Sequence, residues 1–142
     1  MDMDQMAQRF LDEVRLRAYS DHYLDPKEER EILQVAIAGG VSAAAARQAL
    51  LQVSSACGYV VESAVLEETR ELLTRLHESE GQIDEKEFAE AVTFLRQRTL
   101  GHKDEAEAKR IVLEIIKASN YKTSHGWFSS WLTRVKKDLG LA

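Results

Sequence analysis

Two short acidic stretches carry the residue types and spacing best suited to chemistry. Asp25-Pro26-Lys27-Glu28 and Asp84-Glu85-Lys86-Glu87 each follow an apolar residue, Leu24 or Ile83, and each opens an apolar-periodic run. An Asp three residues ahead of a Glu at such a place has the spacing of a capping box. The Asp accepts from an early helix N–H, and the Glu reaches back to the N–H of the Asp. The same carboxylates are hard oxygen donors, suited to calcium or magnesium. Around Gly81, the residues Glu78, Glu80, Asp84 and Glu87 form a candidate metal-ligand set. Helix caps alone and a metal-holding loop are both open readings, and no other cofactor is expected.

A second candidate is the aromatic and basic run near the C-terminal end of the sequence. Trp127, Phe128 and Trp131 stripe one helical face with Leu132, Val135 and Leu139, beside Arg134, Lys136 and Lys137. A basic amphipathic helix with Trp fits a partner groove or a membrane surface. The competing reading is a core stripe that closes the fold. The remaining reactive residues form no pattern. His22, His77, His102 and His125 are scattered with no zinc-ligand spacing, and Cys57 has no second cysteine. Cys57 therefore reads as a small buried apolar residue. The chain has no Gly-rich phosphate loop, Gly-x-Ser-x-Gly or His-Glu-x-x-His. No catalytic residue is assigned, and an enzyme is not expected.

Composition and charge bound the partners. The 142 residues are 44% apolar and 30% charged, enough for one folded domain and too apolar for a disordered chain. The net charge of -5 argues against broad nucleic-acid binding, which needs a positive field. That charge is uneven. Residues 1–71 hold 13 acids and 7 bases, whereas from Lys117 onward five bases face one acid. A basic end on an acidic body reads first as a solvated helix end whose Lys and Arg complement the macrodipole; the other reading is a surface that meets an acidic partner, with peripheral membrane contact through the last helix as the lesser alternative. No apolar run is long enough to cross a bilayer, and Met1-Asp2-Met3-Asp4 lacks the apolar core of a secretion signal. With its single cysteine, the chain reads as a cytoplasmic protein.

The elements that must position these residues are helices. Good helix formers dominate, there is one proline, and the seven glycines fall at breaks in the apolar pattern. A 3.6-residue period predicts helices over about 4–19, 26–38, 43–56, 63–77, 85–99, 105–118 and 126–139. Met6, Phe10, Val14 and Leu16 stripe the first, and Ile32, Leu33, Val35, Ala36 and Ile37 the second. Pro26 suits a first helical turn, and Ser42 and Asp104 suit caps. Only Gly58-Tyr59-Val60-Val61 is ambiguous between strand and helix. The expected fold class is an all-α compact bundle of about seven helices, with 1–142 as one domain.

The two halves echo one another. Leu24-Asp25-Pro26-Lys27-Glu28 aligns with Ile83-Asp84-Glu85-Lys86-Glu87, fifty-nine positions on. At a shift of sixty-two, Ser42 falls on Asp104 and Ala56-Cys57-Gly58-Tyr59 on Ala118-Ser119-Asn120-Tyr121. Gly58 and Asn120 are both types that tolerate the left-handed conformation at a helix end. This pattern reads as two diverged helical repeats, about 10–77 and 63–140, sharing the helix 63–77.

The stretch Gly81-Gln82-Ile83-Asp84-Glu85-Lys86-Glu87-Phe88 resembles the second half of an EF-hand loop with its exit helix. On that pattern Leu76, Glu78, Glu80, Asp84 and Glu87 take the first, third, fifth, ninth and twelfth positions. In the earlier loop Arg17, Tyr19 and Asp21 take the first, third and fifth, and His22 takes the glycine position. Asp21 to Leu50 also resembles the tellurite-resistance B-like (TerB-like) helical domains of bacteria, which carry two acidic loops. The resemblance covers the two loop–helix pairs, well under half the chain. It implies an all-α bacterial protein whose acidic loops hold calcium or magnesium. The reading is thus a non-enzymatic protein-interaction, adaptor or regulatory domain, with a metal-binding regulatory domain as the alternative.

Overall fold

At five helix starts a side chain takes up a free backbone N–H. The computed structural model describes residues 2–121, 123 and 131–141, of Met3 the backbone alone. Among these are seven helices and two short strands, in the order α1 (Met3–Arg17), β1 (Tyr23–Leu24), α2 (Pro26–Ala38), α3 (Ala43–Ala56), β2 (Val60–Val61), α4 (Glu62–Glu80), α5 (Glu85–Arg98), α6 (Glu105–Ala118) and α7 (Trp131–Asp138). Asp2, Asp25, Ser42, Asp84 and Asp104 cap α1, α2, α3, α5 and α6. Three of these caps are complete boxes: Asp2 with Gln5, Asp25 with Glu28, and Asp84 with Glu87. The fold is mostly α-helical, and β1 and β2 make a two-stranded parallel sheet.

The chain divides into two compact units, residues 1–65 and 66–142, with the boundary inside α4. In the first unit α3 packs on α1 and α2. Ala46 and Ala49 give α3 a thin inner face, and Leu50, Phe10, Met6 and Val14 fill the space that this leaves. Leu24 and Val61 join the same core from the two strands. Met6, Phe10 and Val14 recur every four residues and are buried, whereas Leu16 is 75% exposed. Two positions past Val14 a side chain has turned away from that face, which corrects the expected stripe. Ile37, also expected inside, is half exposed.

In the second unit α5 packs on α6. Its buried side chains include Phe88, Leu95, Val112, Ile116, Trp131 and Val135. The Trp131 ring lies 5.3 Å from the Phe88 ring, tilted by 40°. Such a tilted pair adds to plain area burial.

Several backbone devices recur in the two units. His22 N–H donates to Ala18 O at 2.8 Å, and Gly81 N–H donates to His77 O at 2.7 Å. His22 and Gly81 both have positive φ, 56° and 74°. Glycine holds that conformation without strain, and His22 holds it at some cost. Tyr59 N–H donates to Ser54 O and Tyr121 N–H to Ile116 O, across Gly58 (φ 76°) and Asn120 (φ 55°). The β1–β2 register pairs Leu24 with Val61, and an isolated parallel bridge pairs Ile83 with Thr123. All these correspondences fall at the sequence shifts of fifty-nine and sixty-two already noted.

Candidate functional site

The second acidic loop forms where α4 stops. α4 runs to Glu80, so Leu76 and Glu78 are wound into helix, and the turn itself is confined to residues 81–84. Gly81 reverses the chain, and Asp84 then caps α5. Glu87 N–H donates to Asp84 Oδ1 at 2.8 Å, and Asp84 N–H donates to Glu87 Oε1 at 3.1 Å. Oxygens of Glu80, Asp84 and Glu87 lie within 4.8 Å of one another. Glu78, the fourth predicted ligand, is exposed on α4 and lies outside this group.

The cap glutamates sit in unfavourable surroundings for charge. Burial raises the Glu87 carboxyl above the ordinary glutamate range; the Asp84 N–H opposes this, and the Asp84 and Glu80 charges add to it. Glu28 is raised in the same way, by burial first and then by the charges of Asp25 and Asp21. A carboxyl raised on folding favours the native state below its unfolded pKa, and that contribution is lost as pH rises through its folded pKa. Glu87→Gln should therefore melt no lower than the wild type at neutral pH, and the difference should shrink as the pH falls toward about 4. Gln keeps the acceptor oxygen, as Gln5 does in the α1 box. Thermal melts across that range check this, and a large loss at pH 7 would show that the carboxylate charge itself holds the loop.

The expected partner-binding residues divide. Trp127 and Phe128 lie outside the described residues. Trp131 is only 3% exposed and packs on Phe88, so its ring belongs to the core rather than to a surface that meets a partner. Arg134 forms an exposed ion pair with Glu85 at the start of α5. Lys136 and Lys137 are exposed. Cys57, expected inside, is exposed because it is the C-cap of α3 rather than a residue of its inner face.

A cleft that sequence reasoning missed lies beside Lys136. It measures about 520 Å³, is open on one side and is lined by α6, α7 and the segments after each. Leu113, Ile116, Leu132 and Leu141 make its apolar lining, and Lys117 and Lys136 contribute one cation from each helix. Leu141, at 53% exposure, offers solvent a large apolar side chain. Tyr121 forms a fixed wall: its ring stacks on His77 at 4.8 Å, and its hydroxyl hydrogen-bonds Thr74. Leu113–Lys117 on α6 and Leu132–Lys136 on α7 each span one helical turn, but no spacing in the sequence joins the two.

The first unit carries a buried polar set of its own. Tyr23 Oη donates to Glu62 Oε1 at 2.6 Å, Glu29 pairs with Arg47 at 3.3 Å, and Arg47 donates to Ser63 Oγ. Burial, with Glu62 beside it, holds the Tyr23 phenol protonated far above its ordinary range. This arrangement ties β1, α2, α3 and the first residues of α4 together.

Comparison with protein-family models, with curated proteins and with solved structures gives no match. Among the described residues no helix is long and apolar enough to cross a membrane.

Proposed function

We propose that the chain is a non-enzymatic protein-interaction module, an adaptor or regulatory domain built from two copies of one helical plan. The observation that carries this reading is the cleft of the second unit. Four large apolar side chains share its lining with Lys117, Lys136 and Glu114, and Tyr121 presets one wall. A concave site that joins apolar side chains to a few polar groups is the usual form of a binding place. The recurrence of the same caps, left-handed turns and parallel pairings supports the two-copy plan. A reducing bacterial cytoplasm is the setting that the single cysteine and the TerB-like resemblance support.

Affinity capture tests the reading, with wild type and Leu132→Asp compared on equal amounts of folded protein. A partner retained by wild type and lost by the variant is the expected result. Identical capture by the two would remove the cleft as the docking place.

A second reading, a regulatory calcium or magnesium site, draws on the grouping of Glu80, Asp84 and Glu87. Capping engages Asp84 Oδ1 and Glu87 Oε1, so an ion would draw on the second oxygen of each. Calcium takes six to eight oxygens, so water and backbone carbonyls would complete the shell. Melts of chelator-treated protein with calcium or magnesium decide it. A metal at a hundredfold excess over its Kd adds about 2.7 kcal/mol, and Glu87→Gln should abolish that gain. An unchanged midpoint at millimolar metal leaves the group as a helix cap.

A further inference from the structure

We propose that the cleft between α6 and α7 takes an acidic segment of a partner protein that carries large apolar side chains. This rests on the interaction-module reading and names the chemistry of the partner. The lining has an apolar patch from two helices, with Lys117 on one and Lys136 on the other, and Glu114 is the one acid among its described residues. Both lysines are exposed, and neither shows an ion-pair partner among the described residues. An apolar peptide without acids would leave two cations beside a newly dried surface, and a basic one would meet repulsion. A carboxylate beside each anchoring side chain neutralises the lysines as the apolar lining is covered. The volume, about 520 Å³, lies in the range of sites that hold a few large side chains or a small ligand.

The test is selection of a displayed random library of peptides of about twelve residues on the full chain, with Lys117→Glu/Lys136→Glu as the counter-target. Both positions are exposed, and a wild-type melting temperature verifies that the double variant is folded. The expected result is enrichment of peptides that join Asp or Glu to Leu, Ile or Phe, binding the double variant at least about tenfold more weakly. Amide shifts in NMR spectra should then map to Leu113, Lys117, Thr123, Leu132 and Lys136. Selected peptides that are neutral or basic, or that bind both proteins equally, overturn the proposal. So does an empty selection. Two further arms name the rivals. Binding to phosphatidylserine vesicles, lost in the double variant with no peptide selected, assigns the cleft to a lipid surface. Self-association at low salt, lost in the same variant, assigns it to the acidic first half of a second copy. Should the peptides fail while a captured protein still depends on Leu132, the interaction reading stands and the acidic partner falls.

Discussion

Replacing Trp131 with alanine should destabilise the second unit by about 3–5 kcal/mol, the usual cost of truncating a buried Trp or Phe. The indole is 3% exposed and lies against Phe88, so the truncation leaves a large void beside an aromatic ring and forfeits the tilted pair. Partial collapse of α7 toward Phe88 would bring the cost to the low end. Trp131→Phe keeps most of the contact and should cost much less. Urea unfolding followed by circular dichroism measures both. A variant with an unchanged midpoint that nonetheless lost a partner would return Trp131 to the surface. That result would also undo the description of α7 as a helix clamped on the second core.

The first unit has a comparable weak point of the opposite character. Tyr23→Phe removes the hydroxyl that donates to Glu62 at 2.6 Å. Glu62 is 6% exposed, so water does not readily replace the lost donor. The expected cost is about 1–3 kcal/mol, more than an average hydrogen bond because the acceptor is an ionisable group that stays buried. A double-mutant cycle with Glu62→Ala, which removes the acceptor, separates the bond from the cost of burial. If the bond carries the effect, the two substitutions together should cost clearly less than their sum. Additive losses would place the effect in the packing of β1. The second unit has Gln82 at the position that corresponds to Tyr23 and Phe88 at that of Glu29, so a polar lock in one unit stands where the other carries an aromatic contact.

These residues show which parts of the structure were legible in advance. Asp25, Ser42, Asp84 and Asp104 announced helix starts correctly, because a cap is a local device whose donor and acceptor lie three residues apart. α2, α3 and α6 have the expected bounds for the same reason. The box of Asp2 and Gln5 was missed, since the first residues drew notice only for their charge. α4 runs past the expected end at 77 to Glu80, because nothing in His77-Glu78-Ser79-Glu80 breaks a helix before Gly81. Strands of two residues show no period, which hid β1, whereas β2 falls in the ambiguous patch Gly58-Tyr59-Val60-Val61. The candidate acidic site was legible as far as it is local, and Glu78 dropped out once the helix carried it away from the turn. The Tyr23–Glu62 bond, the Glu29–Arg47 pair and the cleft beside Lys136 were not legible. Each joins residues far apart in sequence, and no spacing rule reports on such pairs.

The parallel pairing of Leu24 with Val61, echoed by Ile83 with Thr123, bears on how fast the chain folds. A helical protein owes its speed to contacts between near neighbours along the chain. Each of these pairings instead closes a span that contains two whole helices, and its loop entropy is spent before the pairing returns anything. α2–α3 and α5–α6 are thus the segments expected to dock early, with the bridges closing late. Substitutions at Leu24 or Val61 should then act mainly by quickening unfolding and leave the folding rate nearly untouched.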